Sequence, residues 1–432
     1  MKSPIGQAHR NRVVRGIERW RNLISLYLAQ GVYSVAPLIV IPYLTRVLGP
    51  HNFGVLALFQ SLIAYGVVVL NFGFYVSGIR DSARYREDAE KLGERIRAIL
   101  ITKCALLIIV IFAMGAAVAL VPMLRCEWLL FSICGLQLIG NIALPTWLFQ
   151  GLQESHKLLM PQIIGRLGAA LLIFLFVKSR DEVWLAALFL SSADIVSGLI
   201  LWGQVRQFVS FRGFGRLWPQ IWVTLKDDFL LFAISVGSIL YTAFNPLIID
   251  IFWGPVWVAY YTISLRIATA ATKITSPLVQ AVSPKLAVLV TTDRRTALRL
   301  LLKSAMVLTV ATGVVGITML FFPGTVLRLV AGSEYVGAVP LLRILSPLAL
   351  LMVIGALVGQ NFAVHVGLEN RIARSYWAIG IATIVVMVPT VDYFGAIGCA
   401  TLVVLAESAV VAKIFFELWK RTANQHSQSR TC

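Results

Sequence analysis

Two cations, Arg266 and Lys273, stand seven residues apart in an otherwise uncharged run, PVWVAYYTISLRIATAATKITSPLVQAV. Seven residues are two helical turns, so both side chains leave one face of one helix. In a helix that spans a bilayer, such a charge costs at least about 2.5–3.5 kcal/mol unless it meets a partner or a wet cavity. Fixed cations at that depth suit an anion such as phosphate or pyrophosphate. Arg266 lies 11 residues beyond Pro255, about 16 Å along a helix rising about 1.5 Å per residue, which is near mid-membrane. Lys273 lies further on, where its long stem can also snorkel to head groups. The alternative for both is a structural ion pair with Asp194, Asp250 or Glu407 on other helices.

Arg166, in PQIIGRLGAALL with Gln162 one turn away, either extends a basic cavity lining or snorkels inward. Asp194 and Glu407 each fall about 12 residues into an apolar run. Carboxylates there mark ion pathways, which makes the two residues candidates for coupling to Na⁺ or H⁺. Their other reading is static neutralisation of Arg166 or Arg266. Arg46, Arg80 and Asp81 sit at span ends and read as anchors. Asn71, Asn141, Gln150 and Asn245 either line a wet path or join neighbouring helices. The sequence has no HExxH, no GxxxxGK[ST] and no GxSxG, and its five histidines are dispersed. Its five cysteines form no CxxC or metal spacing. These patterns exclude an ATP-driven pump and a metalloprotease, and neither an enzyme nor a cofactor is expected.

The elements that must carry these residues are membrane helices. Of 432 residues 58% are hydrophobic and 13% charged, with mean hydropathy +0.82, against about 25% charged in soluble domains. Twelve apolar runs are long enough to cross the bilayer: 23–47, 54–78, 99–123, 127–149, 158–177, 183–204, 228–252, 255–281, 304–330, 338–365, 372–391 and 395–418. Basic residues gather in the N-terminal tail, at 80–97, 206–226, 285–303 and 371–374, and in the C-terminal tail. The positive-inside rule then places both termini in the cytoplasm, and the net charge of +18 is mostly a topology signal rather than a nucleic-acid footprint. The stretch SARYREDAEKLGERIRAI mixes charges at helical spacing and predicts a solvated surface helix. The stretch 206–227, with Phe208, Phe211, Phe214, Trp218 and Trp222 among its cations, predicts an interfacial linker. The expected organisation is a basic tail (1–22), a six-helix lobe (23–205), that linker, a second six-helix lobe (228–418) and a tail (419–432). LTRVLGPHNFGVLALFQSL (44–62) aligns with IDIFWGPVWVAYYTISLRI (249–267) around a shared Gly-Pro turn, and FQGLQES (149–155) resembles HVGLENR (365–371). An internal repeat of this kind predicts an all-α polytopic membrane protein with two lobes around a central cavity.

The opening PYLTRVLGPHNFG turn, the Pro-rich first helix, the SGIRD end of the second run and LPTWLFQGLQE (144–154) resemble bacterial polysaccharide-export flippases of the Wzx type, in the multidrug/oligosaccharidyl-lipid/polysaccharide superfamily. The resemblance implies a flippase that moves an undecaprenyl-pyrophosphate-linked oligosaccharide, an O-antigen or exopolysaccharide repeat unit. The movement would run from the cytoplasmic to the periplasmic leaflet of the bacterial inner membrane. It further implies that basic residues, here Arg266, Lys273 and Arg166, meet the pyrophosphate. Membrane lipids, a coupling cation (Na⁺ or H⁺) and a polysaccharide polymerase are the implied partners. Two rivals remain: a cation-coupled multidrug antiporter of the same superfamily, and a membrane-embedded polysaccharide polymerase, which would need a large outer loop that this sequence lacks.

Overall fold

The computed structural model describes the backbone of residues 4–207, 221–229, 231–232, 236, 244–363 and 369–428, and most side chains between 37 and 420 within those segments. The side chains of the tail 1–22, the linker residues Phe208, Phe211, Phe214 and Trp218, the repeat partner 365–368 and residues 429–432 lie outside the described residues. Among the described residues every regular element is helical. In chain order these are α1 (Pro4–Asn71), α2 (Phe74–Arg84), α3 (Ala89–Leu120), α4 (Pro122–Cys126), α5 (Trp128–Ala143), α6 (Thr146–Gly151), α7 (His156–Phe176), α8 (Val183–Val205) and α9 (221–229). They continue as α10 (Asn245–Trp253), α11 (Pro255–Thr292), α12 (Arg294–Phe321), α13 (Pro323–Val330), α14 (Val339–Leu345), α15 (Leu348–Ile354) and α16 (Glu369–Gln428). A π-helical stretch, Gly355–Ala363, follows α15. The chain is an all-α polytopic membrane protein.

Among the described residues, eight helices are long and apolar enough to cross a membrane. Two of them, Ile39–Arg84 and Arg374–Lys420, each join two of the sequence's apolar runs across a turn. The physical cause of the first turn is local. Gly49 takes φ 70°, ψ 172°, a left-handed region open to glycine, and Pro50 then presets the next helical φ. Gly254 repeats this at φ 79°, ψ 177° with Pro255 opening α11. The two Gly-Pro turns aligned in the sequence thus share one backbone conformation.

The chain divides into two compact units: Met1–Ile41 with Leu62–Ser235, and Pro42–Ser61 with Val236–Cys432. The tip of the first helical pair therefore belongs to the second unit. In the first unit, buried Phe74, Leu92, Ile96, Trp147, Phe149 and Leu201 form the core. Gly78 of SGIRD lies against the Trp147 ring, where a Cβ would come within 2.5 Å. The Tyr75 hydroxyl donates to Gln150 Oε1 at 2.8 Å. Two of the segments that carry the family resemblance therefore form one packing joint. In the second unit, Val282, Leu286, Leu301, Leu308, Val353 and Leu357 cluster. Outward faces of α3 (Ile108, Ile109, Ile111, Phe112) and α12 (Met306, Val307, Val310, Val314) are exposed and apolar, as a lipid-facing surface requires.

One sequence expectation changes. The 82–99 stretch is not a separate surface helix. After a turn at 85–87, Asp88 accepts from the Lys91 amide and caps α3, which runs unbroken into the third span. The cause is its buried face: Leu92, Ile96 and Ile99 recur at helical spacing and pack into the core.

Candidate functional site

Arg266 sits three turns into α11, which the Gly254–Pro255 turn starts and aims. The hydroxyls that follow it are satisfied within the helix, Thr269 donating to Leu265 O at 2.8 Å and Thr275 to Ala271 O at 3.0 Å. These bonds cost the bilayer no unpaired polar group. The Arg266 guanidinium donates to Gln60 Oε1 at 3.2 Å and lies 5.8 Å from the centroid of the buried Phe53 ring. Among the described residues no carboxylate pairs with it. Its partners are one amide oxygen and one ring face. That leaves a planar, permanently charged fork able to take two oxygens of a phosphate or carboxylate. Lys273 follows two turns later on the same helix and is exposed.

Arg166 has a different setting, in the first unit. Its Nη2 meets Asp194 Oδ1 at 2.7 Å, with the two side chains 15% and 24% exposed. The pair exists because α7 and α8 approach closely: a Cβ at Gly165 would come within 2.3 Å of the Ala193 carbonyl. Gln162, one turn before Arg166, is buried. The structure thus brings together Arg166 with Asp194, and keeps Arg266 and Lys273 two turns apart on α11. Glu407 is buried in α16 of the second unit. Asp250, in α10, is partly buried.

Three settings escaped the sequence reading. The first is Gln60 with Phe53, the partners of Arg266. The second is Lys103, 3% exposed, whose ammonium donates to Asn71 Oδ1 and Asn141 Oδ1, each at 3.1 Å. A lone cation inside the run ITKCALLIIV was its available signal. The third is an ion network: Arg95 Nε lies 2.8 Å from Asp81 Oδ2, its Nη2 lies 2.8 Å from Asp228 Oδ2, and Arg80 Nε lies 2.9 Å from Asp81 Oδ1. Asp228 is fully buried. With the stacked rings of Phe72 and Phe232 (centroids 4.2 Å apart), this network fixes the start of the second sequence half to α2 and α3.

Comparisons with known proteins place this arrangement. A family model described as polysaccharide biosynthesis protein matches residues 19–290. A relative from Escherichia coli (strain K12) named "Putative O-antigen transporter" is 26% identical over 395 residues, covering 91% of this chain and 94% of its own. A relative of the same name from Shigella dysenteriae is 26% identical over 401 residues, covering 90% and 98%. Among solved structures, an inward-facing multidrug resistance MATE family transporter of the MOP superfamily superposes with TM-score 0.67 at 15% identity, covering 94% of this chain and 99% of its own. The lipid II flippase MurJ in an inward closed conformation does so with TM-score 0.67 at 13% identity, covering 91% and 87%. Both solved structures share the fold.

Proposed function

The chain belongs to the polysaccharide biosynthesis protein family, and on that premise we propose that it flips an undecaprenyl-pyrophosphate-linked oligosaccharide from the cytoplasmic to the periplasmic leaflet of the inner membrane by alternating access. It is a membrane transporter and not an enzyme. The observation that carries the reading is Arg266, a buried-helix guanidinium met among the described residues only by neutral partners. A diphosphate is the chemistry that such a fork accepts, and the lipid-linked repeat unit of an O-antigen or exopolysaccharide carries one. The relatives' names support a polysaccharide cargo, and the solved lipid II flippase supports the same fold for a lipid-linked one.

In this reading Arg266 binds the diphosphate and Lys273 adds charge two turns along, on the cytoplasmic side from which the cargo enters. Arg166, in the first unit, is held by Asp194 at 2.7 Å and is assigned no contact with the diphosphate. Asp194 and Glu407 are the candidates for a coupling Na⁺ or H⁺, and Asp194 would have to exchange its bond to Arg166 to serve. The N-in, C-in topology follows from the distribution of basic loops, and a polysaccharide polymerase would receive the exported unit.

The multidrug antiporter is the competing reading, and the fold alone does not separate the two, since both solved neighbours superpose equally well. Charge separates them. A lipophilic cation needs an available carboxylate, and Asp194 holds a guanidinium at 2.7 Å, whereas a diphosphate needs a cation such as Arg266, which no carboxylate pairs among the described residues. Thermal stability of the purified full-length protein tests the choice. Undecaprenyl pyrophosphate should raise the melting temperature of the parent protein and not of Arg266→Ala, and a lipophilic quaternary ammonium should leave both unchanged. Stabilisation by the ammonium alone would overturn the reading.

A further inference from the structure

Residues 42–61 precede and open the second span in sequence, yet they are housed in the second unit. Apolar burial holds them, with Leu44, Leu48, Leu56, Leu58 and Phe59 each no more than 1% exposed, and a set of polar and ring contacts adds to it. The Arg46 guanidinium donates to the Leu329 carbonyl. Gly54 lies directly on the Pro255 carbonyl, where a Cβ would come within 1.9 Å of its oxygen. Phe53 meets Tyr335 edge-on, with centroids 6.3 Å apart. The last attachment is Arg266 itself, which grips Gln60 Oε1 at 3.2 Å and overlies the Phe53 ring. Arg266 is therefore at once the charge available to a ligand and one of the bonds that hold this segment.

We propose that Gln60 and Phe53 are replaceable occupants of Arg266, and that a diphosphate displaces them and thereby loosens residues 42–61 from α11. The inference rests on Arg266 being the anion ligand, as proposed above, and adds how occupancy is sensed. A diphosphate brings an opposite charge and a second, parallel hydrogen bond to the guanidinium fork, where Gln60 brings one bond from a neutral amide oxygen. An anion that takes the edge of the guanidinium fork takes the donor that now serves Gln60, and draws the cation from the ring face. Because residues 42–61 include the Gly49–Pro50 turn between the first two spans, loosening them transmits occupancy to that turn. The coupling is reciprocal: whatever weakens the grip on Gln60 must strengthen anion binding by the same factor.

The reciprocity gives the test its sign. Equilibrium binding of radiolabelled inorganic pyrophosphate to purified full-length protein is measured together with hydrogen–deuterium exchange over residues 42–61. In the parent protein, pyrophosphate should raise deuterium uptake in that segment. Gln60→Ala should bind pyrophosphate about 3–10-fold more tightly, the worth of one net hydrogen bond, and should show raised uptake before ligand is added. Gln60→Met, of similar volume and unable to accept from Arg266, should behave alike and serves if the alanine variant does not fold. Gln60→Glu, which places a carboxylate on Arg266, should bind more weakly than the parent and suppress the uptake change. If pyrophosphate binds and Arg266→Ala abolishes it, yet Gln60→Ala and Gln60→Met bind no more tightly and exchange as the parent does, the displacement is refuted and the anion reading stands. If the parent protein does not bind pyrophosphate, or binds it regardless of Arg266→Ala, the anion reading falls and this inference falls with it.

Discussion

Replacing Arg95 with methionine should be among the most damaging single changes in the first unit. Arg95 is 15% exposed and stands 2.8 Å from both Asp81 and Asp228, whose side chains are 10% and 0% exposed. Arg95→Met keeps the stem but leaves two buried carboxylates facing a vacated position, and breaking a buried pair in this way costs about 3–5 kcal/mol. Asp228→Asn is milder. It leaves Arg95 on Asp81 and still offers an amide oxygen to the guanidinium, so it removes one opposite charge but not the bond and costs about 1–2 kcal/mol. The double variant should be less damaged than the sum of the singles by about 0.5–3 kcal/mol, because the asparagine removes one of the charges stranded by the loss of Arg95. At about 2–4 °C per kcal/mol for domains of this size, thermal unfolding of the full-length protein in detergent resolves all three. Equal damage from Arg95→Met and Asp228→Asn, or strict additivity, would refute the claim that Arg95 is the common counter-charge.

Asp194→Asn should lower folded yield by removing the charge opposite the Arg166 guanidinium, and Arg166→Gln/Asp194→Asn should recover yield on size-exclusion chromatography; no recovery in the double variant would show that the two do not act as a pair. Gly54→Ala should abolish folding or transport, since its Cβ would clash with backbone at 1.9 Å, whereas Gly115→Ala, with nothing within 4 Å, should gain up to about 1 kcal/mol in a thermal melt; a reversed order contradicts the packing. Asp293 caps α12, and its bond from the Thr296 side chain, with the amides of Thr296 and Arg295, holds its carboxyl below the ordinary value of 3.8. A folded value below the unfolded one means that the cap contributes fully above the ordinary value and is lost as pH falls through the lowered one. Exchange of the Arg295 and Thr296 amides, corrected for intrinsic rates, should accelerate only in that acid window, and protection that ignores pH would contradict it.

What was legible in the sequence followed from local physics. Gly49–Pro50 and Gly254–Pro255 could be aligned because left-handed glycine followed by proline is a local backbone device, and the two turns do share φ and ψ. The cation spacing of Arg266 and Lys273 on one helix was likewise local. The partners were not: Gln60 is 206 residues from Arg266, and Asp228 is 133 from Arg95. Such pairings depend on which helices pack, which no period in the chain encodes. Arg166 and Asp194, 28 residues apart on successive helices, lie between these extremes, and their pairing stood among the alternatives. The 82–99 stretch misled because its charges outnumber its apolar residues, although Leu92, Ile96 and Ile99 already traced a buried face.

Translocation in reconstituted vesicles tests the central claim most directly. Labelled polyprenyl-pyrophosphate oligosaccharide is placed in one leaflet, and its exposure in the other is followed with and without an imposed ion gradient. The expected result is protein-dependent translocation that Arg266→Ala abolishes and Arg266→Lys retains in part. Translocation absent under every gradient, or undiminished in Arg266→Ala, would contradict a flippase that works through Arg266.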